Sequence, residues 1–281
     1  MKSSNPVFAR SAEFNGRGGA IAKTTSPSQW QVDLSQDDNP THTGTGTGQM
    51  TIETVVEKTA ISLGLLVTTA AVAWFMIGDL GDVATGDAAY GRAMMFAMGG
   101  AFIGLGLALV NSFKKVISPA LVLAYAAVEG VFVGAFSKVI ASYVGDPTIV
   151  FQAVLATMVA FGGTLAAYKF FNIQVTDKFR KVMTIAIFSF VGVMLINMVL
   201  SLTGVLESGG LRGFNALGLV VSAIAVVLAV FMLIMDFDMV EKGVAAGIPE
   251  RESWRAAFGL TVTLVWLYIE ILRILAIWRG D

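Results

Sequence analysis

The stretch FNALGLVVSAIAVVLAVFMLIMDF, residues 214–237, runs for 24 positions with one ionisable side chain, Asp236, near its end. A helix rises about 1.5 Å per residue and bilayer hydrocarbon is about 30 Å thick, so roughly 20 apolar residues make one crossing. This stretch therefore reads as a membrane span. Outward from it, six more stretches of the same kind fall at about 58–78, 92–112, 118–143, 148–170, 181–203 and 254–278, joined by short polar connections. The expected fold is all-α: a polytopic membrane protein built as a seven-transmembrane-helix bundle. Composition agrees, since 56% hydrophobic and 14% charged residues with a mean hydropathy of +0.74 do not suit a soluble chain of 281 residues.

Residues 1–52 differ sharply from the rest. They are rich in Ser, Thr, Gly, Asn and Asp, with THTGTGTG at 41–48, and read as a disordered tail ahead of a 53–281 membrane domain. Nothing before Ile52 has the apolar core of a signal peptide, so the first span is expected to direct insertion. Lys and Arg in short loops set orientation. Lys2, Arg10, Arg17, Lys23 and Lys58, then Lys114 and Lys115, then Lys178, Arg180 and Lys181 mark one side as cytoplasmic. The loops carrying Asp79, Asp82 and Asp87, then Asp146, then Glu207 and Arg212, are acidic or nearly neutral and fall outside. The expected topology has a cytoplasmic N-terminus and an external C-terminus.

Ionisable groups in hydrocarbon cost several kcal/mol unless paired or hydrated, so each one inside a span is a functional candidate. Glu129 lies midway along the third span in LAYAAVEGVFVGAF, about 16 Å from the cytoplasmic end. Its reading stays open between an ion-pathway acid and a hydrogen-bonded bundle carboxyl, and Gly130 beside it would let another helix approach. Asp236 closes the sixth span, within a turn or two of the cytoplasmic surface. Asp238 is roughly 200° around the helix from it, so the two cannot share one ligand, and Asp238 with Lys242 has the i,i+4 spacing of a surface ion pair. Glu270 and Arg273 in WLYIEILRILAIW are spaced i,i+3 as an outer ion pair, with Arg92 as another cation for Glu270 and a gate lining as the rival reading. Lys138 reads as a snorkelling interfacial residue.

The residue inventory excludes several functions. A net charge of -1 offers no basic surface for nucleic acid. Zero Cys and a single histidine, His42 in the tail, leave no thiolate or imidazole within the spans for zinc hydrolysis or Ser/His proteolysis. The seventh span has no Lys for a retinal Schiff base. No Walker sequence or strand-borne GxGxxG introduces a nucleotide. An enzyme is not expected, and no cofactor is called for. Carboxylates without histidine suit protons and hard cations such as Ca²⁺.

Three motifs then carry a resemblance: AAVEGVFVG at 126–134, MDFDMVEKG at 235–243 and LTVTLVWLYIEILRIL at 260–275, with SSNPVFAR at 3–10 in the tail. Together and in this order the chain resembles the Bax inhibitor-1 (TMBIM) family, in particular its bacterial YccA-like branch, across all seven spans. The resemblance implies a central helix enclosed by the others, a bacterial inner membrane, and a passive, pH-sensitive leak of Ca²⁺ or other cations. In relatives, one aspartate in helix six and another in helix seven share protons and link pH to opening. Asp236 matches the first, and Thr263 stands where the second would be. Threonine can hydrogen-bond Asp236 but cannot hold a charge, so a coupled titration reduces to one group, unless Glu129 substitutes. The expected ion pathway and pH sensor is Asp236, Glu129 and Thr263, with Asp236 and Glu129 as the candidate Ca²⁺ ligands. Expected partners are the lipid bilayer, Ca²⁺ and protons. The alternative implied by the family is a non-conducting regulator that binds a membrane protease or stress machinery.

Overall fold

In the computed structural model, residues 48–171 and 173–280 are described. Most of the expected 1–52 tail, including His42, lies outside them. Seven helices follow in chain order: α1 (Ile52–Ile77), α2 (Gly86–Phe113), α3 (Pro119–Val144), α4 (Thr148–Phe170), α5 (Asp177–Leu202), α6 (Ala216–Ala245) and α7 (Ser253–Gly280). Short 3₁₀ turns at Glu207–Arg212 and Glu250–Glu252 lead into α6 and α7. All seven helices are long and apolar enough to cross a membrane. The described residues contain no strand beyond an isolated bridge between Gln49 and Pro249.

Local chemistry sets the helix ends. Thr51 and Thr54 form a reciprocal capping box at the start of α1, Thr176 caps α5 through the Phe179 N–H, and Asn215 caps α6 through the Gly218 N–H. Pro119 occupies the first turn of α3, where its missing N–H costs nothing, and Gly145 ends that helix at φ 74°, a conformation glycine adopts without strain. The helices overrun the apolar windows at several ends. The largest excess is in α6, which continues to Ala245 rather than stopping at 237. Hydropathy registers only the hydrocarbon segment, whereas backbone hydrogen bonding carries on through the polar Glu241, Lys242 and Gly243. Asp236 is consequently nine residues, roughly 13 Å, from the end of its helix, deeper than its sequence position suggests.

α7 is the central helix. Of its most apolar window 67% is buried, against 44% for α3 and 11% for α5, and it packs on α1, α3, α4 and α6. Ala256, Ala257, Phe258, Leu264, Leu267, Leu272 and Ala276 are all buried, so α7 is covered around most of its circumference. α1 and α3 form the closest pair because glycines remove the Cβ: at Gly130 one would meet Thr69 Oγ1 at 2.0 Å, and at Gly134 the Ala70 carbonyl oxygen at 2.3 Å. Gly100 and Gly104 do the same for α2 against α3, whereas Gly99, Gly106, Gly162 and Gly163 face open space. A belt of exposed Phe, Val, Ile and Met side chains covers the outer helix faces, as lipid contact requires.

Candidate functional site

The sequence of α6 places Asp236 on the seam with α7, and Thr263 meets it there. Asp236 is 1% exposed, and the Thr263 hydroxyl donates to its Oδ2 at 2.7 Å. The same hydroxyl lies 3.1 Å from the Gly259 carbonyl one turn back, so the shorter contact to the carboxylate takes its single proton. α6 and α7 pack extensively against each other along this seam. Asp236 and Thr263 are thus brought together across two helices, 27 residues apart in sequence.

Asp238 points elsewhere, as its angular offset requires. It is 4% exposed, and its Oδ2 accepts from Lys242 Nζ and Arg180 Nη2, each at 2.7 Å. The i,i+4 pair with Lys242 is present, but the acid is buried rather than interfacial, because Arg180 at the start of α5 closes over it. A second buried pair lies at the entry to α7. Arg255, fully buried, donates from Nε to Glu252 Oε2 at 2.6 Å, and its Nη atoms reach the Lys114 and Lys115 carbonyls in the α2–α3 loop. Lys58 of α1 pairs with Glu250 at 2.7 Å. The chain just before α1 joins the same lattice. Met50 N–H donates to the Ile248 carbonyl and Glu250 N–H to that of Gly48, with the Met50 side chain buried. One end of the bundle is therefore cross-braced by ion pairs and backbone bonds linking α1, the α2–α3 loop, α5, α6 and α7.

The opposite end is braced differently. Glu270 is gripped by Arg212 Nη1 at 2.7 and 2.9 Å, while Arg273 Nε is 4.0 Å away. Arg273 instead donates to the Arg212 carbonyl at 2.6 Å and covers the Phe214 ring. The expected Glu270/Arg273 pair is thus the long arm of a three-member cluster, and Arg273 is buried. Arg92, the other expected partner, donates to the Ile77 carbonyl at 2.7 and 3.1 Å and caps the C-terminus of α1.

Glu129 faces α2. Its Oε2 is 2.6 Å from where a Cβ on Gly104 would stand, so the carboxylate lies against the glycine of α2 in the space a side chain there would take. Among the described residues it makes no hydrogen bond or ion pair, and α3 has no extended packing with α6. Glu129 and Asp236 therefore occupy different seams, α2–α3 and α6–α7. Among the described residues no group of three or more His, Cys, Asp or Glu side chains is gathered closely enough to hold a metal ion.

Four contacts escaped the sequence reading: Arg180 on Asp238, Arg212 on Glu270, Glu252 with Arg255, and Lys58 with Glu250. Only one had a visible signal. Glu252 and Arg255 are spaced i,i+3 at a helix start, and Arg255 falls inside the expected seventh span, where a cation calls for an acid. The other three depend on how loops fold back. Lys138 lies with Nζ 4.7 Å over the Trp74 ring.

Comparison with known families adds one match. The family described as Bax inhibitor 1 like matches residues 5–280, which takes in all seven helices and every group above. No curated protein sequence matches the chain. With the match covering nearly the whole length, the chain belongs to the Bax inhibitor 1 like family of membrane proteins.

Proposed function

We propose that this protein is a passive, pH-sensitive leak for Ca²⁺ and other cations across a bacterial inner membrane, with its pathway shut in the arrangement described. Asp236 is the group for which cation and proton compete. The observation that carries the reading is the position of that carboxylate: deep in α6, 1% exposed, on the seam with the central helix, and bonded across it by Thr263. A carboxylate so placed binds a cation when ionised and releases it when protonated, because protonation removes the charge that holds the ion.

The braced end supplies the barrier in this reading. Moving α6 and α7 apart at that side works against the contacts that anchor each of them there, Arg180 of α5 on Asp238 for α6 and Arg255 on the α2–α3 loop for α7. The distribution of Lys and Arg supports a cytoplasmic position for this end, together with the N-terminus. A reporter active only in the cytoplasm, fused after residue 281, should stay silent. Thr263 keeps the titration to one group on this seam. Glu129, in its own seam, is a secondary acid that modulates the pathway from the α2 side.

Liposomes loaded with a Ca²⁺ dye and carrying the purified protein test the proposal. Wild type should pass Ca²⁺ at a rate that varies with pH, Asp236→Asn should remove that pH response, and Glu129→Gln should alter the rate but keep it. Flux and pH response that survive both substitutions unchanged would overturn the proposal. Complete absence of flux in wild type would favour the family's other reading, a regulator that binds a membrane protease or stress machinery.

A further inference from the structure

α1 and α4 both pack on α3 and α7, yet among the described residues they make no extended contact with each other. Between them lies a half-open apolar groove of about 270 Å³, walled by Val67 and Ala71 of α1 and by Val154 and Met158 of α4, over a floor of Gly134 and Leu264. Helix register fixes its depth. Along α1 the lining runs from Leu63 to Trp74, roughly 16 Å of rise. That is one leaflet, half of the ~30 Å hydrocarbon. On α4 the lining runs from Val150 to Met158, beginning within a turn of the helix start at Thr148, and on α3 from Val133 to Ser137, in the half nearer Val144. The α3 and α4 linings thus place the groove in the leaflet of the α1 C-terminus, with its deep end reaching the bilayer centre at Leu63 and Leu264.

This depth selects the occupant. A further transmembrane helix would need a groove across both leaflets and wide enough for a body of about 10 Å. A groove confined to a single leaflet fits a single hydrocarbon chain. The rim adds charge. Lys138 Nζ donates to the Trp74 carbonyl at 3.3 Å and sits over its ring, so the cation is held at the headgroup end of the groove. Among the described residues Lys138 enters no ion pair, which leaves its charge for an anion. We infer that the groove binds one acyl chain of an anionic phospholipid from this leaflet, with the lipid phosphate drawn to Lys138.

The full-length protein in phosphatidylcholine liposomes, doped with phosphatidylglycerol carrying a photoreactive diazirine part-way along one chain, tests the site. Lipid adducts should concentrate on α1 and α4, at positions such as Val67 and Val154, above the level at the equally lipid-facing Val191 and Val193 of α5. Val154→Trp should lower the groove adducts several-fold and leave those on α5 unchanged; the position is 38% exposed, so the larger ring fits without disturbing the core. Lys138→Gln should weaken the preference for phosphatidylglycerol over phosphatidylcholine roughly fivefold, the contribution of one lysine near an anionic surface. Adducts spread evenly over α1, α4 and α5, or undiminished by Val154→Trp, would overturn the acyl-chain site. Unchanged headgroup preference in Lys138→Gln would overturn the phosphate contact. Capture of a second copy of the chain by a photoreactive residue at Val154 would give the groove to a protein neighbour instead and also overturn the proposal.

Discussion

The two ends of α7 carry the same sequence device, a glutamate followed three residues later by an arginine, and they resolve it differently. At the entry, Glu252 and Arg255 close to 2.6 Å with both side chains buried. At the far end, Glu270 and Arg273 remain 4.0 Å apart because Arg212, delivered by the 3₁₀ turn before α6, takes both carboxylate oxygens. Spacing along a helix makes a contact available, and competition among all nearby cations decides whether it forms. The entry pair closes directly, and the Arg255 Nη atoms also hold backbone carbonyls of the α2–α3 loop.

That contrast predicts an order of effects. Arg255→Ala should be the most damaging, since it strips the cation from a carboxylate that is 1% exposed; losing one partner of a buried pair costs about 3–5 kcal/mol. Thermal unfolding in detergent should show a large fall in midpoint, and a small shift would mean that the entry pair is dispensable. Arg212→Ala should come second, at roughly 1.5–3 kcal/mol for charged hydrogen bonds, because Arg273 is still close enough to offset part of the loss. A double-mutant cycle sharpens the comparison: Arg212 with Glu270 should show stronger coupling than Arg273 with Glu270, and the reverse order would contradict the observed geometry.

The proposed role of Asp236 on the α6–α7 seam can be tested in the same way. Thr263→Asp would place a second acid against Asp236, and two interacting carboxyls titrate as a coupled pair. The pH profile of Ca²⁺ flux should change from a one-proton to a broader two-step form. A profile that keeps the wild-type shape would show that the seam does not govern the pH response.

The smallest expected effect is at Asp146, outside the membrane spans. Its carboxylate accepts from the Thr148 hydroxyl at 2.8 Å and the Thr148 N–H at 2.9 Å and pairs with Arg279. These contacts, the Thr148 hydroxyl first, hold its pKa below the ordinary value of 3.8. A depressed pKa adds stability that is complete above the unfolded value and is lost as pH falls through the lower folded one. Asp146→Asn should therefore slightly lower stability above about pH 4 and flatten the acid limb below it, and a variant whose stability still falls on acidification as wild type's does would contradict this assignment.

The spans were legible because hydropathy directly reports the apolar length that a bilayer demands. Their ends were not, since helical hydrogen bonding continues past the last apolar residue, as α6 does through Met239, Lys242 and on to Ala245. The meeting of Asp236 and Thr263 could be anticipated once the resemblance aligned α6 with α7. The direction of Glu129 could not. A helix apolar on every side shows no preferred face in its sequence, so nothing in LAYAAVEGVFVGAF says whether the acid looks toward α2 or α6. In the structure it looks toward α2, with Oε2 beside Gly104. Arg212 was hidden for another reason: it reads as a loop charge, and only the fold of the turn before α6 carries it to Glu270.

The most direct test of the central claim is a pH titration of Ca²⁺ entry into liposomes carrying wild-type protein or Asp236→Asn, run side by side with matched protein content. Wild type should follow a single-proton curve and Asp236→Asn should give a rate independent of pH. A variant that retains the wild-type curve would contradict the assignment of Asp236 as the group that protons and cations share.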